Sequence, residues 1–185
     1  MLTIWGRLNS HNVKKVAWLA VELGLEFERI DVGGKFGMDA AYLAKNPNAL
    51  IPTIEDGDVV LWESNAILRY LAAKHGGERW WPANPAERAT ADRWMDWQFS
   101  YADAQRDAFK QFVRTPEAER DPAVIAKSVA ASARQLQVLD GYLNHTPWLS
   151  GADFGIGDIP MGVYAYTWFN LPIERPDFPA VADWY

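Results

Sequence analysis

Ile51-Pro52-Thr53-Ile54-Glu55-Asp56-Gly57-Asp58-Val59-Val60-Leu61-Trp62-Glu63-Ser64 is the stretch that decides the fold. Thr53 to Glu55 and Asp58 to Trp62 read as short strands, and Asp56-Gly57 between them is a strong hairpin signal. The second strand runs into Glu63-Ser64, where a helix covering Asn65 to about Lys74 begins. Strand, tight turn, strand, helix, in that order, build a holder for a peptide-like ligand. A Pro at the mouth of a strand is a candidate cis bond, since cis costs only about 0.5–1 kcal/mol at an X-Pro bond. Ile51 then offers its N–H and C=O to an extended ligand backbone, as an added strand does. The helix start at Ser64 suits a carboxylate, and Glu63 suits an ammonium. A ligand with one α-carboxylate, one α-amine and a peptide-like middle fits these parts.

Upstream, Leu2 to Trp5 reads as a buried strand, and Asn9-Ser10-His11-Asn12 as a loop of helix-capping residues. Val13, Val16, Ala17, Ala20 and Leu23 recur at helical spacing until Gly24 stops the helix, and Phe27 to Val32 is a second strand. A β-α-β start implies parallel strands and a right-handed crossover. Gly33-Gly34-Lys35-Phe36-Gly37 reads as a flexible loop, and Met38 to Lys45 as a short helix ended by Asn46-Pro47-Asn48. Downstream the pattern turns helical: Glu87 to about Val113, Asp121-Pro122 to about Leu143, and Ile156 to about Phe169. Strand signals stop within the first 65 residues, so an α/β domain (1–76), a linker (77–86) and an all-α domain (87–185) are expected.

With 49% apolar and 23% charged residues among 185, the chain is of the ordinary globular class. A net charge of −6 and no Lys/Arg run argue against a nucleic-acid partner. Cysteine is absent, which excludes disulfides, thiolate metal sites and a protein thiol nucleophile. No His/Asp/Glu cluster has metal spacing, and no metal is expected. Met1-Leu2-Thr3-Ile4-Trp5 lacks the pattern of a signal peptide, and the apolar stretch Ile159 to Ile173 is too short to span a bilayer. A cytoplasmic protein without a membrane partner is expected. Ten Trp imply a large aromatic core, a ring-lined pocket, or both.

A thioredoxin-like unit without Cys-x-x-Cys, followed by a helical domain, resembles the cytosolic glutathione transferases. Four places carry the likeness: Ser10-x-Asn12-x-Lys14-x-Val16, Asn46-Pro47-Asn48-Ala49-Leu50-Ile51-Pro52, Trp62-Glu63-Ser64-Asn65-Ala66-Ile67 and Phe154-Gly155-Ile156-Gly157-Asp158-Ile159. The likeness is to bacterial, Ser-type, theta-like members. The resemblance implies glutathione as co-substrate, held by Ile51, Pro52, Glu63 and Ser64, with Lys35 and Phe36 as further contacts. It implies that Ser10 donates a hydrogen bond to the glutathione sulfur, and that the long helix walls an apolar electrophile site through part of the stripe Trp94, Trp97, Gln98 and Tyr101. Aromatic stripes at this spacing are more often core. A homodimer, with Arg69 and Arg93 near its axis, is also implied.

Three departures are visible. The family usually has Gly where Ala49-Leu50 stand, and Ser or Thr at the cap where Gly155 precedes Asp158 by three. It also normally continues past the place of Tyr185 into a final helix, which leaves a chain cut short or an electrophile site lacking one wall. Nu-class bacterial members, which look like glutathione-dependent disulfide reductases, set a Thr and an Asn two residues apart toward the sulfur, with a Lys further on. Ser10, Asn12 and Lys15 are similar to that arrangement. The expected function is conjugation of glutathione thiolate to hydrophobic electrophiles. The alternatives are disulfide reductase or peroxidase chemistry, and a non-catalytic glutathione-fold binding protein.

The size of the catalytic effect follows from thiol chemistry. A free thiol of pKa about 8.5 is roughly 3% thiolate at pH 7. A hydrogen bond to a charged group contributes about 1.5–3 kcal/mol, which lowers the thiol by roughly one to two units. A two-unit drop raises the thiolate fraction about 25-fold, while intrinsic nucleophilicity falls roughly 6–10-fold. Most acceleration must therefore come from holding sulfur and electrophile together.

Overall fold

Strands β1 (Leu2–Trp5), β2 (Phe27–Ile30), β3 (Thr53–Asp56) and β4 (Val59–Trp62) form one mixed sheet in the order β2-β1-β3-β4. The β1–β2 pair is parallel; β1–β3 and β3–β4 are antiparallel. These observations come from a computed structural model that describes residues 1–185. The chain divides into two units, Met1–Arg88 and Ala89–Tyr185.

In the first unit, α1 (His11–Glu22) crosses over from β1 to β2 and packs on α3 (Ser64–His75). Val13, Val16, Leu19 and Ala20 of α1 and Ile67, Leu68 and Leu71 of α3 are fully buried, as are Ile4 and Ile54 of the sheet. Each of these Val, Leu and Ile side chains contributes about 1.5–3 kcal/mol of burial. The short helix α2 (Ala40–Lys45) is capped by the Asp39 carboxylate, which accepts from the Tyr42 N–H at 2.8 Å.

Four details differ from the sequence reading. The hairpin turns at Gly57-Asp58, one residue later than the Asp-Gly pair suggests, because Asp56 pairs with Val59 and Gly57 takes the positive φ of +63°. Strand β2 ends at Ile30, although the Arg7 N–H still reaches the Val32 carbonyl at 3.2 Å. The glycine loop holds a 3-10 turn at Gly34–Phe36. Within the segment read as linker, the buried indole of Trp80 anchors a helical turn, α4 (Gly77–Trp80).

The second unit takes in most of α5 (Pro85–Val113), with α6 (Pro122–Leu143), α7 (Asp158–Asn170) and α8 (Pro179–Trp184). Its core gathers Trp94, Tyr101, Leu136, Leu139, Leu149, Met161 and Trp168. Helix α7 starts two residues later than expected, and the Asp158 carboxylate organises its entry. That group accepts from the N–H groups of Leu149 (2.7 Å), Ser150 (3.2 Å) and Gly155 (3.0 Å), and from Trp184 Nε1 (2.8 Å). A Cβ on Gly155 would stand 2.8 Å from Ser150 Oγ, so no side chain fits that cap position as it stands. Ser150 Oγ takes over the missing cap hydroxyl's work by accepting from the Gly157 N–H at 3.0 Å. Helix α8 has no counterpart in the sequence reading; Val181 N–H donates to Asp140 Oδ1 at 3.1 Å and holds it to α6. No helix is long and apolar enough to cross a membrane.

Candidate glutathione site

Register brings the expected residues to one end of the sheet. Trp5 stands beside Ile30 on one side and Thr53 on the other, and Thr53 stands beside Trp62. From that row the chain leaves β1 toward Ser10, leaves β2 toward Lys35 and Phe36, enters β3 from Ile51-Pro52, and leaves β4 into Glu63-Ser64. Four segments distant in sequence thus meet where the parallel pair presents its carboxyl ends, the usual ligand edge of an α/β sheet.

The Ile51-Pro52 bond is cis. The Ile51 side chain is lodged against Gly6 and Gly33: an added Cβ would stand 3.2 Å from it at Gly6 and 3.4 Å at Gly33. The carbonyl of Leu50, just before it, accepts from Tyr42 Oη at 2.5 Å and Asn46 Nδ2 at 2.9 Å. The same two groups reach Thr53 Oγ1 at 3.0 and 3.2 Å. This buried cage fixes the chain on both sides of Ile51-Pro52, and the sequence reading did not assign it. Ala49 adopts φ +52°, the conformation the family's usual Gly takes freely, at a cost of roughly 1–2 kcal/mol. The Leu50 side chain is exposed.

Glu63 also has a left-handed backbone, φ +73° and ψ 108°, at the cap of α3. Such a conformation costs about 1–3 kcal/mol and clusters at functional sites. Glu63 is exposed, whereas Ser64 is buried, and the hydrogen-bond ladder of α3 starts with Ile67 N–H donating to the Glu63 carbonyl at 2.9 Å. The N–H groups of the first turn therefore lie ahead of the ladder, next in the chain to Glu63.

Ser10 occupies the cap position of α1, yet its hydroxyl makes no capping hydrogen bond. It is half-buried, as is Asn12 two residues on. Lys15, three residues on from Asn12, is fully buried in α1, and its Nζ donates to Asn65 Oδ1 at 3.4 Å. Burial pushes the Lys15 ammonium down to about 7, against the opposing pull of the Glu63 carboxylate. Lys35 and Phe36 are exposed, with the Lys35 ammonium 5.0 Å above the Phe36 ring.

In the second unit, Trp94 and Tyr101 are buried and Trp97 half-buried. Trp94 packs edge-on against Trp97, 5.2 Å between centroids, and lies 4.7 Å from the Tyr142 ring. Its indole N–H has no acceptor. Tyr101 Oη accepts from Gln105 Nε2 at 3.0 Å, and burial pushes its phenol far up, so it stays neutral. Trp94 and Tyr101 are core members, and Trp97 packs against that core. Arg93 donates to Tyr142 Oη at 3.0 Å.

This architecture and the meeting of a serine at a helix cap, a cis-proline strand and a helix start define the class. The chain belongs to the glutathione S-transferase family. Residues 1–73 match the family model described as "Glutathione S-transferase, N-terminal domain". The chain is 44% identical to the glutathione S-transferase GstB of Escherichia coli strain K12, covering 100% of this chain and 91% of that protein. The theta class glutathione S-transferase of Xanthomonas axonopodis pv. citri, in its structure with glutathione bound, superposes with a TM-score of 0.95 at 52% identity, over 100% of this chain and 90% of that one. The E. coli disulfide-bond oxidoreductase YfcG is 29% identical, over 94% of this chain and 84% of that protein.

Proposed function

We propose that the protein is a cytoplasmic, homodimeric glutathione transferase that joins the glutathione sulfur to a hydrophobic electrophile. The observation that carries this reading is the convergence of Ser10, Ile51-Pro52 and Glu63-Ser64 at one end of the sheet, reached by register alone. Glutathione has the three parts that this edge suits. Its cysteinyl backbone pairs with Ile51 N–H and C=O, its γ-glutamyl carboxylate meets Ser64 and the first turn of α3, and its ammonium meets Glu63. Ser10 Oγ, not engaged in capping, donates to the sulfur, with Asn12 next to it. Lys35 and Phe36 flank the far end. The thiolate forms a carbon–sulfur bond as the electrophile's leaving group departs with its electron pair. Trp94 and Trp97 on α5 shape the apolar site; Tyr101 supports them from the core.

Retention on immobilised glutathione tests the reading. The wild-type chain is expected to bind and elute with free glutathione, and Glu63→Ala to pass through unretained. Normal retention of Glu63→Ala contradicts the assignment of the γ-glutamyl pocket. Steady-state kinetics test the cage below Ile51. Tyr42→Phe removes the hydroxyl that meets both the Leu50 carbonyl and Thr53 Oγ1; at about 1 kcal/mol per hydrogen bond it should raise KM for glutathione roughly five- to thirtyfold with kcat unchanged. An unchanged KM removes the cage from the account.

The likeness to YfcG and the pair Ser10 and Asn12 favour a second reading, glutathione-dependent disulfide reduction. One glutathione thiolate attacks a disulfide and expels a thiolate. A second glutathione then releases the other half, leaving oxidised glutathione. Turnover of a chloronitrobenzene compared with that of a mixed disulfide decides between the two readings.

A further inference from the structure

Arg7 stands just past the end of β1, at the ligand edge of the sheet, and has no part in the reaction as written. Its backbone is tied on both sides: the Arg7 N–H donates to the Val32 carbonyl at 3.2 Å, and the Arg7 carbonyl accepts from the Ser10 N–H at 3.1 Å. Its half-buried side chain lies against the glycine loop. A Cβ on Gly34 would stand 2.9 Å from Arg7 Nε and 3.3 Å from its Cδ, and Gly34 has φ +62°. Glycine alone suits that position, in backbone shape and in space. Arg7 Nη1 donates to Asn9 Oδ1 at 2.6 Å, so the guanidinium is splinted between Asn9 and Gly34. Gly6 and Gly33, the chain neighbours of Arg7 and Gly34, both pack on the Ile51 side chain. The guanidinium therefore sits in the wall that encloses Ile51.

We propose that the Arg7 guanidinium holds the glycyl carboxylate of glutathione, and that Gly34 is a glycine because it seats that guanidinium. The inference rests on the glutathione reading of this edge and names a contact which that reading leaves open. At neutral pH glutathione carries two carboxylates and one ammonium. Ser64 and the start of α3 take one carboxylate and Glu63 takes the ammonium, so the second carboxylate still needs a counter-charge. Strand order fixes where that charge must be. Across the sheet, in the order β4-β3-β1-β2, the edge presents the start of α3, then Ile51, then Arg7, then the glycine loop. A tripeptide that begins at Ser64 and pairs its middle residue with Ile51 carries its third residue toward Arg7 and Gly34.

Two cations stand at that end, Arg7 and Lys35. Lys35 is exposed, with its ammonium over the Phe36 ring, and water screens it. Arg7 is half-buried and already held in place, so binding costs it less freedom. Its Nη2 group and the second hydrogen of Nη1 remain uncommitted, and such a pair meets both oxygens of a carboxylate at once. The Leu50 side chain, exposed and apolar, offers no competing contact.

Calorimetric titration of the full chain with glutathione and with its glycyl ethyl ester reads the contact. The ester removes this one charge and leaves the γ-glutamyl end and the thiol intact. Wild type is expected to bind the ester about 10- to 100-fold more weakly, the range for a hydrogen bond to a charged group. Arg7→Gln is expected to bind both ligands alike, at the level of the ester on wild type, and Arg7→Met serves if Arg7→Gln does not fold. Lys35→Gln is expected to keep the wild-type preference, which assigns the carboxylate to Arg7. Equal binding of both ligands by wild type overturns the inference and leaves the glutathione reading standing. So does a preference lost in Lys35→Gln, or one undiminished in Arg7→Gln or Arg7→Met, including the case where both ligands weaken by the same factor. Failure of wild type to bind glutathione at all overturns both.

Discussion

Ser10→Ala is expected to lower the conjugation rate at neutral pH by about two- to fourfold and to move the apparent pKa of bound glutathione up by one to two units. The lost interaction is a hydrogen bond to a charged sulfur, about 1.5–3 kcal/mol, and roughly 1.4 kcal/mol corresponds to one pKa unit. A raised thiol pKa means less thiolate at neutral pH, so the rate profile shifts toward alkaline pH and the deficit narrows there. The structure favours this role over simple capping because Ser10 holds the cap position of α1 while its hydroxyl makes no cap bond. A Ser that only capped the helix would show the opposite pattern: a loss of roughly 0.5–2 kcal/mol in stability and an unmoved pH profile. Stopped-flow or steady-state rates across pH, with unfolding measured in parallel, separate the two. Asn12→Ala is the companion variant. A larger loss there than in Ser10→Ala, confined to disulfide substrates, transfers the sulfur contact to Asn12.

The second large effect concerns folding. Asp158→Ala is expected to cost about 4–6 kcal/mol, because it leaves three backbone N–H groups and the Trp184 indole without their acceptor. For a chain of this size that lowers the melting temperature by roughly 10–20 °C. The Leu149 and Gly155 bonds are buried, so water cannot readily replace the carboxylate there. Asp158→Asn keeps one carbonyl oxygen and should lose about half as much. A calorimetric melt with Asp158→Ala within a few degrees of wild type contradicts the role given to this residue.

Much of this molecule was legible in its residues because the signals were local and chemical. Pro52, Gly57 and Ser64 each restrict the backbone in a way that sequence order alone reveals, and the hairpin they punctuate missed its true turn by a single position. The buried Tyr42–Asn46 cage was not legible, since Tyr42 and Thr53 meet across a loop and nothing in either residue's spacing announces the partner. The burial of Lys15 escaped for a related reason, although the sequence sets this lysine beside Ser10 and Asn12. A lysine in an amphipathic helix ordinarily marks the solvated face, yet Lys15 lies four residues before the buried Leu19, and that spacing was the available clue. Helix α8 is held through Trp184 to Asp158 and through Val181 to Asp140, contacts too distant in sequence for any periodicity to show. The aromatic stripe on α5 had two readings, and packing assigns Tyr101 to the interior.

The central claim is that a tripeptide lies extended from the strand mouth at Ile51 to the helix start at Ser64, with its sulfur at Ser10. Titrating isotope-labelled protein with glutathione while following backbone amide resonances tests it most directly. Saturable shifts should concentrate on Ile51, Ser64, Asn65 and the Ser10–Asn12 turn. Saturation that leaves those amides unmoved, or no saturable shift at all, contradicts the account.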